Sequence, residues 1–216
     1  MARLEPSGQL LTTNLDLVIA ELRQRDRDRY LAALYTPSEV RPALIALFGI
    51  DAELGAVVAG TTEPMIGEIR LAWWREALEG LNGGTIPAQP LLQLVAAELL
   101  PRGIGGAALA GLEDRWLGMI ANSEVPTTHV EGGGMLFGLA ARLLGGDEAL
   151  GKQLGEAWVT GDATGLPPVP ISLRPLLGLV RLAARDVARA EQGAPPEVPG
   201  SLGRQWLLLK AIALGR

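Results

Sequence analysis

Residues 25–80 read RDRDRYLAALYTPSEVRPALIALFGIDAELGAVVAGTTEPMIGEIRLAWWREALEG, and the punctuation of this stretch decides the fold. Thr36-Pro37-Ser38-Glu39 places a hydroxyl, a proline and a glutamate where a helix N-terminus uses them, because such side chains satisfy backbone N–H groups that lack intrahelical partners. Pro42 lies too deep for the same helix to run on unkinked. Either a helix starts at Thr36, or 36–40 is a turn and Pro42 opens a helix reaching Val58. Gly60-Thr61-Thr62 then breaks the chain before a helix from Pro64 to Leu81.

Outward from this stretch the apolar spacing stays helical. Leu15, Val18, Ile19 and Leu22 form an i, i+3, i+4, i+7 stripe on a helix from Asn14 to Asp28, and Arg29–Leu34 either continues it or forms a separate turn. Further helices are expected over Pro90–Leu100, Ala107–Asn122, His129–Leu144, Asp147–Val159, Ser172–Ala190 and Leu202–Leu214, most of them closed by Gly or Pro. The β-branched residues never alternate over a strand's length, so the expected fold is all-α. Gly132-Gly133-Gly134 points to close helix approach or a kink. Pro167-Pro168-Val169-Pro170 is the strongest break. A later loop with three prolines makes the last helix the element freest to detach or dock.

With 216 residues, 48% of them hydrophobic, the chain suits one domain spanning residues 1–216. No cysteine is present, which excludes disulfides and thiolate metal sites. Without a charged-then-apolar leader the chain reads as cytoplasmic, and its apolar runs fall short of the roughly 20 residues that span a bilayer. The net charge of −5 argues against nucleic acid as a partner. Charge is unevenly spread: residues 1–173 carry a balance of −9 and residues 174–216 one of +4. Within the basic C-terminal helical pair (171–216), Arg174, Arg181, Arg185 and Arg189 form a stripe beside apolar Leu176, Leu177, Leu179, Val180 and Leu182. That helix is a candidate surface for a protein partner or an anionic membrane, against the plainer reading of a solvated face.

Carboxylates that clamp a metal from one helix stand about a turn apart. The 24 Asp and Glu include no i, i+4 pair. Asp51 and Glu53 point roughly 200° apart. Glu76 and Glu79 read as surface charges, with Arg75 available to Glu79. A lone His and no Cys make a zinc or di-iron site improbable, so no metal is expected. His129 follows a helix entry and reads as a cap or surface residue. Arg23, Arg25, Arg27 and Arg29 alternate with Asp26 and Asp28 as a solvated, self-paired helix. Trp73 and Trp74 are core-packing residues first; the functional alternative has one lining an apolar cavity with Arg70 stacked on its indole. Dinucleotide, NTP and hydrolase motifs are absent.

Asp28-Arg29-Tyr30, Pro37 and RPALIALF (Arg41 to Phe48) resemble the first two helices of the squalene/phytoene synthase family. GEIRLAWWREALEG (Gly67 to Gly80) resembles the next helix in that family's divergent branch, which includes factors assembling respiratory complex I. Weaker similarity continues through Glu131–Leu144 and Gly155-Glu156-Ala157-Trp158. The resemblance implies a single-domain helical bundle of the trans-isoprenyl diphosphate synthase fold, shortened in its C-terminal half. Active members condense two prenyl diphosphates head to head, with Mg²⁺ held by two Asp-rich motifs. Here Ala52 stands at an arginine position, Gly55 and Ala56 at paired aspartates and Ala59 at the last ligand. The second motif's region, VTGDATGLPPVPISLRP, offers only Asp162 and a Leu-Pro. The expectation is therefore a non-catalytic protein without cofactor, acting in respiratory complex assembly at the inner-membrane periphery or binding an isoprenoid or other lipid. The alternative is an active Mg²⁺-dependent prenyltransferase with Tyr30, Phe48, Asp51, Arg70 and Trp74 about its cavity.

Overall fold

The computed structural model describes residues 6–84, 86–120 and 125–215. The helix that carries the deciding stretch, α3 (Arg41–Ala59), lies at the centre. It packs against α1 (Pro6–Arg25), α2 (Arg27–Leu34), α4 (Pro64–Gly80), α5 (Pro90–Glu98), α7 (Glu113–Ile120) and α8 (Thr127–Leu143). Between α5 and α7 runs α6 (Gly106–Ala110); α9 (Glu148–Thr160), α10 (Arg174–Glu191) and α11 (Leu202–Leu214) complete the chain. Among the described residues three single-turn 3-10 segments join them and no strand is present.

The turn reading of 36–40 is the one adopted. The Thr36 hydroxyl donates back to the Ala33 carbonyl at 2.7 Å, and Pro42 sits in the first turn of α3. Pro64 and Pro90 open α4 and α5 in the same way, where a missing N–H costs nothing. The first helical stretch divides at Asp26, whose carboxylate accepts from the Arg29 N–H at 2.8 Å and so caps a separate α2. The helix expected over Ala107–Asn122 divides into α6 and α7 at Gly111-Leu112, and its end at 121–122 lies outside the described residues.

Along α3, residues 43–52, Leu54 and Val57 are buried. Burial explains why this helix, unlike the runs weighed in the sequence, is long and apolar enough to cross a membrane: about two thirds of its apolar window is covered by the other helices. One hydrophobic cluster extends from Val18 to Leu208. The Gly132-Gly133-Gly134 run serves close approach. A Cβ on Gly155 would lie 2.7 Å from the Gly133 carbonyl carbon, so α8 and α9 meet backbone to backbone.

Candidate functional site

Asp51 is the one charged residue within the buried face of α3 and is wholly inaccessible. An isolated carboxylate there would be prohibitive, so partners must come from neighbouring helices. Arg29 of α2 donates Nη1–H to Oδ2 at 2.6 Å. From α7, Arg115 Nη1 and Trp116 Nε1 both donate to Oδ1 at 3.0 Å. Arg29 also donates Nε–H to Asp26 at 2.8 Å. Two guanidiniums and two carboxylates thus balance in charge.

His129 of α8 completes the cluster. Arg115 Nη2 donates to His129 Nε2 at 3.1 Å, and His129 Nδ1 lies 3.0 Å from the Arg115 carbonyl. Since arginine only donates and a carbonyl only accepts, the imidazole is neutral with its proton on Nδ1. Aromatic rings enclose the charges. The Trp158 ring of α9 lies 5.4 Å from both guanidinium carbons, Phe137 stacks on Trp158 at 5.0 Å, and the Phe48 ring is 5.7 Å from Arg29.

Burial opposes ionisation of Asp51, yet the Arg115 and Arg29 guanidiniums outweigh it and hold the carboxyl below the usual carboxylate range. Burial, reinforced by the Arg115 charge, pushes His129 below the ordinary histidine value. Burial likewise lowers Arg115, which remains a cation. A neutral imidazole, a locked carboxylate and two ion-paired arginines form a structural plug.

Outside the plug, α3 presents Ala52, Gly55, Ala56 and Ala59 to an open groove of about 430 Å³, rimmed by Arg25 and Arg29 and walled by Trp116. These are the positions at which the resembled family carries its first Asp-rich motif. The residues do not fit Mg²⁺: none of the four has a side-chain oxygen, Asp51 is committed to three donors, and Glu53 is paired with Arg25. Asp162 accepts from the Thr164 N–H at 2.9 Å within an exposed turn. Among the described residues no three metal-ligating side chains converge.

Of the cavity candidates, the structure unites Phe48 and Asp51, through Arg29. Tyr30 packs against the core with Arg23 5.9 Å from its ring centre. Trp74 is buried in edge contact with Trp73, and Arg70 is exposed on α4, making no cation–π contact among the described residues. The arginine run is more than a self-paired solvated helix, because Arg29 is buried in the plug and Asp28 pairs with Arg204. His129 is likewise buried rather than a surface cap. Glu79 has no pairing with Arg75, which binds Glu113 and Asp114 instead.

The C-terminal arginine stripe turns inward. Arg174 donates to the Ala213 carbonyl at 3.0 Å, Arg185 to Glu197 at 3.2 Å and Arg189 to the Pro195 carbonyl at 3.0 Å. Three of the four cations therefore tie α11 and its preceding loop to α10, satisfying carbonyls that a helix end or loop leaves open. Arg29, Arg115 and Trp116 were not among the sequence-derived candidates. The available signal was Asp51 itself, a carboxylate inside an otherwise apolar helix that had to find buried cations.

Residues 22–111 match the family model for squalene/phytoene synthase. Over 70 residues the chain is 34% identical to NADH dehydrogenase (ubiquinone) complex I, assembly factor 6 of Homo sapiens, 36% to that of Rattus norvegicus and 31% to that of Bos taurus. Each match covers 32% of this chain and 21% of the relative, so the chain spans about a fifth of the length of the curated relatives it matches. No solved structure matches it significantly. Over residues 22–111 the chain is thus similar to the squalene/phytoene synthase family, and over 70 residues to complex I assembly factor 6.

Proposed function

We propose that this protein is a non-catalytic squalene/phytoene synthase-like scaffold that acts through protein contacts in the assembly of a respiratory complex, at the cytoplasmic periphery of the inner membrane. The observation that carries the reading is the fate of the acidic site. The one carboxylate buried on α3 is locked between Arg29 and Arg115, and Gly55, Ala56 and Ala59 present no ligand for the metal that would neutralise a leaving diphosphate. The similarity to complex I assembly factor 6 supports the assembly role. Incubation with farnesyl and geranylgeranyl diphosphate plus Mg²⁺ is expected to yield no C30 or C40 hydrocarbon; metal-dependent product would overturn the non-catalytic reading. In cells lacking the protein, the amount of assembled complex I on native gels is expected to fall, and an unchanged amount would remove the assembly role.

The open groove over Ala52, Gly55, Ala56 and Ala59 favours one second reading, retention of an isoprenoid as ligand rather than substrate. Trp116 walls that groove, so farnesol binding would be read as a change in tryptophan fluorescence that Trp116→Phe removes. Absence of saturable binding would leave the scaffold reading alone.

A further inference from the structure

α4 is apolar on two sides. Its inner side, Gly67, Leu71, Trp74 and Leu78, is buried in the bundle. At about 100° per residue, Met65, Ile66, Ile69 and Trp73 fall on the opposite side. There they stand 71%, 51%, 64% and 48% exposed. Scattered exposed apolar residues need no explanation, but a contiguous stripe pointing straight away from the core does. Trp73 is also held in place, its ring in edge contact with buried Trp74 at 5.1 Å, so an aromatic anchor is presented with little freedom left to lose.

The charges bordering the stripe decide what can cover it. Glu68 and Glu79 follow one flank, Glu76 continues the stripe into the next turn, and Glu63 stands at its start. All four are exposed, and none takes part in an ion pair among the described residues. Arg70 is the cation of this face. An anionic membrane would be repelled by such a border, and a second copy docking α4 on α4 would bring like charges together. A helix with an apolar stripe flanked by Lys or Arg satisfies both the apolar centre and the acidic rim.

We propose that the outward face of α4, centred on Ile69 and Trp73, is the docking surface for a basic amphipathic helix of a partner protein. This rests on the scaffold reading and gives its partner a chemistry. The probe is a fluorescein-labelled synthetic Leu/Lys peptide of helical periodicity, titrated with the full chain and followed by anisotropy. The matching Leu/Glu peptide and phosphatidylglycerol-containing vesicles are run in parallel.

The expected result is binding of the Leu/Lys peptide alone. Ile69→Ser with Trp73→Ser weakens it at least tenfold; Glu68→Lys with Glu79→Lys weakens it and flattens its salt dependence. Trp206→Ser, on an exposed apolar face of α11, leaves it unchanged. Both double variants alter exposed side chains, and near-UV circular dichroism confirms their fold. Equal binding by either double variant overturns the proposal, as does loss of binding on Trp206→Ser. Vesicle binding that depends on Ile69 and Trp73 would assign the face to a membrane, and self-association that depends on them would assign it to a second copy; either result also overturns it. A failed peptide assay leaves complex I abundance and prenyl turnover untouched, so failure here is distinguishable from failure of the scaffold reading.

Discussion

Trp116 occupies the space that a side chain at residue 55 would need: a Cβ built on Gly55 would lie 2.7 Å from Cη2 of the indole. The same indole donates its N–H to Asp51, so the ring is held on one edge by the buried carboxylate and lies with the other across α3. Glycine at 55 is therefore what lets the Trp116 ring lie against α3 at the wall of the groove.

Placing aspartates at 55 and 56 is not expected to create prenyl-transfer chemistry. Gly55→Asp with Ala56→Asp forces Trp116 out of its seat, and overpacking of this kind costs about 1–3 kcal/mol. Urea unfolding is expected to show that loss, and product analysis with farnesyl diphosphate and Mg²⁺ is expected to remain blank. Adding Trp116→Ala relieves the clash but removes the indole donor to Asp51 and leaves a cavity, so the triple variant should be no more stable than the double one. A double variant as stable as the parent would show that the indole yields freely.

Breaking the plug is more damaging than filling the groove. Asp51→Asn removes the charge that balances Arg29 and Arg115 while leaving both guanidiniums buried against the Trp158 ring. Uncompensated buried charge costs about 3–5 kcal/mol. A denaturation midpoint unchanged by Asp51→Asn would mean that the arginines find other partners. Glu53→Gln serves as the comparison, since the Arg25–Glu53 pair lies nearer solvent and is worth about 1 kcal/mol or less.

Arg204 clamps α11 to the bundle. Its guanidinium reaches Asp28 of α2 at 2.6 Å and Asp186 of α10 at 2.5 Å, and together the two carboxylates hold it above the usual arginine value despite the opposing effect of burial. Asp186 is half-exposed, so the pair with Asp28 carries most of the value. Arg204→Met should cost about 2 kcal/mol, within the range for hydrogen bonds to charged groups. Hydrogen exchange is expected to speed up across Leu202–Leu214 first; uniform loss of protection through α3 would place Arg204 in the global core instead.

Local signals were legible in the sequence where a single residue type forces a backbone outcome. Pro42, Pro64 and Pro90 open helices, Gly132–Gly134 permit close approach, and the acids' absence from 55, 56 and 59 is visible by inspection. Arg29, Arg115 and His129 were hidden because their roles come from partners far along the chain: Arg29 lies 22 residues from Asp51, and Arg115 lies 64. An Arg–Asp alternation looks solvated whether or not one arginine turns inward. The C-terminal stripe misleads for the same reason, since charge at helical spacing does not say which side meets solvent. Here it meets the carbonyls of α11 and its preceding loop.

His129 makes stability depend on pH above the range where carboxylates titrate. Its folded pKa is lowered, first by burial and then by the Arg115 charge, while in the unfolded chain it lies near the ordinary value of about 6.5. As pH falls below about 6.5 the unfolded chain takes up a proton that the folded chain resists, so stability declines in acid and is flat with respect to this group above about pH 7.5. Asp51 adds a separate step. Its folded pKa is also lowered, so its contribution is held above about pH 4, the unfolded value, and is lost as pH falls through the folded one. A glutamine at 129 can accept from Arg115 Nη2 and donate to the Arg115 carbonyl without titrating. His129→Gln is therefore expected to flatten urea midpoints between about pH 5 and 7 while keeping the drop below about pH 4. If the slope between pH 5 and 7 persists in that variant, another group carries it and the neutral Nδ1–H imidazole is not the acid-sensitive element of the plug.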